Sequence, residues 1–179
     1  MADEGDNVVC VFGSGDPTEG DPRYAEAQAV GRVLAELGRV VANGGYGGTM
    51  EASARGAVEA GGTAIGVTCS IWSSHPNRHV TQQIATSSLA ERVATLIRIG
   101  RAGYVCLPGA TGTLVELATV WEMMFKGLLP PRPLVCLGAF WRPVVETVVS
   151  ERPASGAFVA IAETPADLPA FFTPQTGGR

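Results

Sequence analysis

The chain has 179 residues, of which 46% are hydrophobic and 17% charged, and this size and composition suit one compact domain. The formal net charge is −4 and no block of lysines or arginines occurs, so no nucleic acid is expected as a partner. The N-terminus is acidic and polar, and no apolar run approaches the roughly 18 residues of a membrane span. We therefore expect one cytoplasmic domain over residues 1–179, with flexible ends at 1–7 and 173–179 and no membrane partner.

Strand-like and helix-like segments alternate along the whole chain. The first strand is the apolar run Val8 to Phe12, and the first helix runs from about Pro22 to a stop at Gly38. Further strands are predicted at 39–42, 63–68, 83–85, 103–107, 134–137 and 158–161, and further helices at 49–60, 89–99, 113–126, 141–149 and 165–172. This βαβ repetition predicts a single α/β domain of Rossmann-like fold, a parallel sheet with helices on both faces.

Cysteine and histidine give no sign of a metal site. Each cysteine lies in or at the end of an apolar run, which predicts a small buried hydrophobe of a strand rather than a disulfide or a catalytic thiol. These residues are Cys10, Cys69, Cys106 and Cys136. His75 and His79 are separated by a proline, so they do not present two ligands on one helix face. We predict no metal and no cofactor.

Three loops rich in glycine or other small residues follow predicted strands: GSG at 13–15, NGGYGG at 43–48 and PGATG at 108–112. In an open parallel sheet the carboxyl ends of the strands meet at one edge, and ligands bind there. The three loops are therefore expected to line one pocket. The first loop lacks the GxGxxG pattern of dinucleotide sites, and no P-loop motif is present, which argues against NAD and against a P-loop NTPase.

The stretch PGATGTLVE at 108–116 joins a predicted strand to a predicted helix. Free amides and the positive end of the macrodipole make a helix N-terminus a phosphate site, and Gly109 and Gly112 allow close approach. Glu116 falls about one turn into the helix, beside whatever the phosphate carries. The alternative is an ordinary acid stabilising the helix start. Arg92 and Arg98 are either surface cations or the pocket arginine, and the sequence leaves open which.

These blocks resemble the LOG family, whose plant members activate cytokinins, over roughly residues 8–150. The resemblance rests on VVCVFGS, on the following DPRYAEAQAVGRVLAELG helix and on VVANGGYGGTMEASARGAVEAGG. Most of all it rests on LPGATGTLVELATVWE, which corresponds to the family signature PGGxGTxxE. Ala110 replaces the second glycine of that signature, and Val93 stands where the family has a lysine after its arginine. A divergent LOG-like branch resembles this chain better, in having a hydrophobic residue after the arginine and VWE after the signature.

The resemblance implies a cytoplasmic homodimer that hydrolyses the N-glycosidic bond of a nucleoside 5′-monophosphate such as AMP, giving free base and ribose 5-phosphate without metal or cofactor. It implies Glu116 and Arg92 as catalytic residues. The phosphate- and nucleotide-binding residues expected are Gly13, Ser14, Gly44, Gly45, Gly47, Gly48, Thr49, Pro108, Gly109, Ala110, Thr111, Gly112 and Thr113. The competing hypothesis is a non-catalytic nucleotide or cofactor carrier, or a sensor, that uses the same pocket.

The predicted helix at 113–126 contains LATVWEMMF, whose large apolar residues lie all round its circumference. One sheet does not cover that much apolar surface, which favours a dimer interface. The sequence does not identify the base, because base recognition is expected from the irregular segment at 69–87.

Overall fold

Seven strands form one parallel sheet in the computed structural model, which describes residues 4–173. The strands are β1 (Val8–Phe12), β2 (Val40–Asn43), β3 (Ala64–Cys69), β4 (Gln82–Thr86), β5 (Gly103–Cys106), β6 (Leu134–Leu137) and β7 (Ala160–Ala162). Their order across the sheet is β4-β3-β2-β1-β5-β6-β7. Val9 of the central strand β1 is in register with Val41 on one side and Gly103 on the other.

Helices cover both faces of the sheet. They are α1 (Pro22–Glu36), α2 (Thr49–Glu59), α3 (Leu89–Ile99), α4 (Thr111–Phe125), α5 (Arg142–Glu151) and α6 (Pro169–Phe172). Helices α1, α2 and α6 bury their apolar side chains on one face, and α3, α4 and α5 do so on the other. The predicted Rossmann-like α/β fold is confirmed.

Most predicted elements are present with boundaries shifted by one or two residues. The largest functional difference is the start of α4, which begins at Thr111 rather than at residue 113, so Gly112 lies inside the first helical turn. Near the C-terminus the predicted helix at 165–172 is divided into a 3₁₀ turn (Pro165–Asp167) and α6, and a further 3₁₀ segment (Pro153–Phe158) was not predicted.

The predicted flexible ends fall mostly outside the described residues, namely at 1–3 and 174–179. Residues Glu4–Asn7 form a 3₁₀ turn. Within the described part of the chain, no helix is both long and apolar enough to cross a membrane. His75 and His79 lie in the connection between β3 and β4.

All four cysteines are free and buried, as predicted. Burial is the largest cause that raises the pKa of the Cys10 and Cys106 thiols above their usual value, so these groups stay protonated and unreactive at neutral pH. They serve as small apolar side chains beneath α3 and α4.

The direction of winding reverses beside β1. Strands β1 to β4 are laid down outward in one direction, and α3 then returns the chain to β5 on the other side of β1. Such a reversal opens a crevice at the carboxyl ends of the two central strands, which is where ligands bind in open α/β sheets. A functional site is therefore expected at the loops after β1 and β5.

Candidate functional site

A pocket of about 210 Å³ occupies this crevice. The predicted site residues that line it are Gly13, Ser14, Gly44, Arg92, Ala110, Gly112, Thr113 and Glu116. Those that lie nearby without lining it are Gly45, Gly47, Gly48, Thr49, Pro108, Gly109 and Thr111. All three small-residue loops thus contribute residues to one pocket, and of the loop at 43–48 only Gly44 lines it.

Glu116 projects from α4 into the pocket and is only 8% exposed. Burial raises the pKa of its carboxyl from a usual value of 4.5 to about 7, because the charged form loses solvation. Arg92 works against this rise, since its Nη1 lies 3.9 Å from Glu116 Oε1. Near neutral pH the site therefore holds both the acid and the carboxylate form of Glu116.

Arg92 reaches the pocket from α3 and is 7% exposed. Its Nε donates a hydrogen bond of 2.8 Å to the carbonyl of Val67 in β3. The guanidinium also lies against Gly44, where any added Cβ would collide with Nη2. A glycine at position 44 is thus required for Arg92 to occupy its place.

Arg98 and Val93 lie on the other side of α3. Both line a groove of about 870 Å³ between α3 and α4 rather than the pocket. The structure therefore places Arg92, and not Arg98, beside Glu116. Val93 stands where the LOG family has a lysine, and its side chain lies in this apolar groove.

The N-terminus of α4 opens towards the pocket. Its N-cap is Ala110, and within residues 4–173 no side chain caps the helix. The first amides of a helix have no intrahelical acceptor, so those of 111–113 are donors for an anion. Ala110 has ordinary extended dihedrals (φ −92°, ψ −156°), which shows that the alanine sits in the signature loop without strain. At position 109 glycine is required, because an added Cβ would collide with the side chain of Thr113.

The N-terminus of α2 is arranged differently. The Thr49 amide and Oγ1 both donate to the carbonyl of Ser14, at 2.8 and 3.0 Å. Gly48 before it has φ +70°, and a Cβ there would collide with the Ser14 carbonyl and the Gly15 backbone. This loop is therefore joined to the loop after β1 by main-chain contacts.

Sequence reasoning missed Asp16 and Met50, which also line the pocket. The Asp16 amide donates to Ser14 Oγ, and Ser14 Oγ donates to Asp16 Oδ2, both at 3.1 Å. The position of Asp16 directly after GSG was the signal that would have found it. Met50 gave no signal, because its approach to Arg92 (Sδ to Nη2, 3.8 Å) joins residues 42 positions apart in the sequence.

Two of the apolar α4 side chains that suggested a dimer interface are covered within the domain itself. Trp121 and Met124 are buried inside the domain, and Trp121 Nε1 donates to the carbonyl of Ser155 at 2.8 Å. The 3₁₀ segment Pro153–Phe158 supplies this cover, and no sequence pattern predicted that segment. Met123 instead lies in the groove between α3 and α4.

Fold and pocket together define a Rossmann-like α/β protein with a pocket at its topological switch point. The chain belongs to the SLOG cluster4 family, whose model matches residues 6–154. This confirms the LOG-like resemblance.

Among relatives, the chain is 29% identical over 146 residues to a cytokinin riboside 5′-monophosphate phosphoribohydrolase of Rhodococcoides fascians, covering 78% of this chain and 73% of that protein. It is 46% identical over 59 residues to an uncharacterized protein of Archaeoglobus fulgidus, a match that spans 33% of this chain and only 38% of that protein.

Solved structures with the same fold include the molybdenum cofactor binding protein of Rippkaea orientalis (TM-score 0.73, 24% identity, 89% of this chain and 91% of that one). The molybdenum cofactor carrier protein of Chlamydomonas reinhardtii is similar as well (TM-score 0.66, 24% identity, 91% and 94%). At this identity the similarity concerns the fold.

Proposed function

We propose that the protein hydrolyses the N-glycosidic bond of a nucleoside 5′-monophosphate such as AMP, releasing free base and ribose 5-phosphate. The observation that carries this proposal is the buried Glu116, which lies beside Arg92 and the open N-terminus of α4. Its pKa of about 7 is close to neutral pH. The relationship to the Rhodococcoides phosphoribohydrolase supports the same class of reaction.

The phosphate is proposed to bind at the N-terminus of α4. The amides of 111–113 supply hydrogen bonds and the positive end of the helix dipole, and Arg92 adds a full positive charge. A pocket of about 210 Å³ is small beside the about 300–1,000 Å³ that whole small-molecule ligands usually occupy. We therefore place phosphate and ribose inside and the base at the open rim.

Glu116 is proposed to act on the ribose. As the bond from C1′ to the base nitrogen breaks, the electron pair leaves with the base, which takes up a proton from solvent at the open rim, and positive charge develops on the sugar ring. Ionised Glu116 stabilises that charge, and a pKa of about 7 lets it accept the proton of the water that adds to C1′. Arg92 holds the phosphate and keeps part of the Glu116 population ionised.

A non-catalytic nucleotide or cofactor carrier is the second candidate. Ala110 adds a methyl group at the phosphate loop, where the LOG signature has glycine, and the lysine that follows the arginine in the LOG family is replaced by Val93. The Rippkaea and Chlamydomonas proteins of the same fold are, by name, a binding protein and a carrier of the molybdenum cofactor. A carrier needs the pocket but not the chemistry of Glu116.

The deciding experiment incubates the protein with AMP, GMP, CMP and UMP and measures free base and ribose 5-phosphate by chromatography. Glu116→Gln is expected to bind AMP but to release base at least about 100-fold more slowly, because a preorganised electrostatic group is removed. Glu122→Gln is the matched control, since Glu122 lies on the solvent side of the same helix. Equal base release by Glu116→Gln contradicts the proposal, and AMP binding by the native protein without base release favours the carrier.

We also propose a homodimer formed through the groove between α3 and α4. Leu89 and Val115 on its rim are each 50% exposed, and Val93 and Met123 line it. Exposed apolar side chains grouped in one groove favour a protein interface, and the family resemblance supports a second copy as the partner. Sedimentation equilibrium is expected to give a dimer for the native protein and a monomer for Val115→Asp, and a native monomer contradicts the proposal.

A further inference from the structure

The guanidinium of Arg92 lies in a corner formed by two aromatic rings. Its Cζ is 5.6 Å from the ring centroid of Tyr46 and 5.4 Å from that of Trp72. The two rings contact each other edge to face, with centroids 5.6 Å apart and planes at 75°. Both distances fall within the range in which a cation is attracted to the face of an aromatic ring.

Main-chain hydrogen bonds fix this corner in place. The Tyr46 hydroxyl accepts from the Cys69 amide at 2.8 Å and donates to the Cys69 carbonyl at 3.1 Å. Asn77 donates from Nδ2 to the Tyr46 carbonyl and from its amide to the Gly45 carbonyl, at 2.9 and 2.8 Å. The glycine-rich loop after β2 and the connection after β3 thus hold the two rings as one unit.

The polar contacts of Arg92 fix its Nε but not Nη1 and Nη2, the end of the guanidinium that faces the pocket. Nε is held by the Val67 carbonyl, but Nη1 is 3.9 Å from Glu116, beyond hydrogen-bond length, and Nη2 meets the weak acceptor Met50 Sδ. The two rings, together with the Gly44 backbone beside Nη2, therefore limit the rotation of the guanidinium about its Nε contact. Trp72 is itself 41% exposed, so it is not held in place merely as part of the core.

We propose that Tyr46 and Trp72 are positioning residues, which keep the Arg92 guanidinium within reach of Glu116 and of an anion in the pocket. The catalytic consequence rests on the function proposed above, whereas the placement of the charge does not. Without the Trp72 ring, the guanidinium turns away from Glu116 towards the solvent that Trp72 now excludes.

Such a movement changes a property of the free protein. Arg92 is the positive group that opposes the effect of burial on Glu116, so its displacement raises the pKa of Glu116 further. Within the described part of the chain, the pocket also contains Asp16, and the buried thiols of Cys10 and Cys106 lie near Glu116. The raised pKa values of these two thiols keep them neutral. None of these groups therefore supplies a positive charge near Glu116 when Arg92 moves away.

The test is a pH titration of ¹³C-labelled glutamate carboxyls by NMR without substrate, in which Glu116→Gln identifies the Glu116 signal. Trp72→Leu removes the ring and is expected to raise the midpoint of Glu116 by about half a pH unit or more, a threefold change in proton affinity. Trp72→Phe keeps a ring and should restore the native midpoint. Tyr46→Phe keeps its ring but loses the Cys69 anchor, so a smaller rise in the same direction is expected.

An unchanged midpoint in Trp72→Leu overturns the proposal, and so does an equal rise in Trp72→Leu and Trp72→Phe. If Trp72→Leu does not fold, the Tyr46→Phe titration decides, and an unchanged midpoint there overturns the proposal. The measurement is independent of the reaction, because a native protein that releases no base contradicts the proposed hydrolysis and leaves this titration unaffected.

Discussion

The loops at 43–48 and 108–112 look alike in the sequence, since each joins a strand to a helix through glycine, but they are built differently. The first is mostly buried: Gly48 packs on the backbone of Ser14 and Gly15, and Gly44 packs on Arg92. The second is open, because Ala110 and Gly112 are exposed and a Cβ at Gly112 would meet no atom of residues 4–173 within 4 Å. One loop supports the pocket, and the other faces whatever enters it.

This difference separates two uses of glycine. In the buried loop, glycine is needed for the fold, because a side chain has no room or the backbone has positive φ, as at Gly45 (+77°) and Gly48 (+70°). In the open loop, Gly112 has free space beside it, which the proposed phosphate would occupy. The phosphate-binding role predicted for Gly45, Gly47 and Gly48 stays a prediction, since their contacts are with the protein itself. Substitutions in the two loops should therefore separate stability from binding.

The largest effect is expected for Gly48→Ala, which should lower the free energy of unfolding by about 3 kcal/mol or more. The new methyl collides with the main chain after β1, and a side chain at positive φ adds strain. Gly47→Ala is the control, because its Cβ would only meet the Gly15 carbonyl at an ordinary 3.8 Å. Urea denaturation measures both variants, and equal stability of the two would remove the structural role of this loop.

Next in size is the pH-dependent effect of Glu116→Gln on stability. Folded Glu116 binds its proton more tightly than the unfolded chain does, so its ionisation opposes folding. This cost is absent below the usual pKa of 4.5, grows as the pH rises and is complete above about 7. At about pH 8, Glu116→Gln should therefore be more stable than the native protein by about 3 kcal/mol, and the gain should vanish at about pH 4.

Denaturation at several pH values checks this prediction, with exposed Glu122→Gln as the control on the same helix. A gain that does not depend on pH would mean that lost ionisation is not its cause. At the open end of α4, the ionised carboxylate proposed for catalysis destabilises the fold. In the buried loop, the glycines that support the pocket also stabilise the fold.

The alternation of strands and helices was readable from the sequence, because apolar runs and helical spacing depend on local pattern; the bounds of α3 at 89–99 agree in full. The pairing of Glu116 with Arg92 came from motif resemblance. Neither source indicated the ring corner at Tyr46 and Trp72, because these contacts join segments that only the folded sheet edge brings together. The burial that shifts the pKa of Glu116 likewise depends on α3 and β1 packing around α4.

In the open loop, Gly112→Ala should weaken AMP binding by about tenfold while leaving the fold intact. Gly112 lines the pocket in the first turn of α4, so the methyl group occupies space at the phosphate site without touching protein. Replacing a helical glycine by alanine also favours the helix by about 0.5–1 kcal/mol, so thermal stability should rise slightly. Calorimetric titration with AMP measures the affinity, and unchanged affinity would place the phosphate elsewhere.

The smallest effect is expected for Ala110→Gly, which restores the glycine of the LOG signature. The Ala110 methyl lines the pocket, so its removal should let the phosphate approach the α4 amides more closely and improve AMP affinity by about threefold. Stability should change by less than about 0.5 kcal/mol, because glycine is the better N-cap but loses more chain entropy on folding. Titration of Ala110→Gly and Gly112→Ala under the same conditions places the phosphate along the loop. If AMP affinity improves in Ala110→Gly and falls in Gly112→Ala, the phosphate lies between these two residues. If the affinity of Ala110→Gly is unchanged, the phosphate lies closer to Thr113.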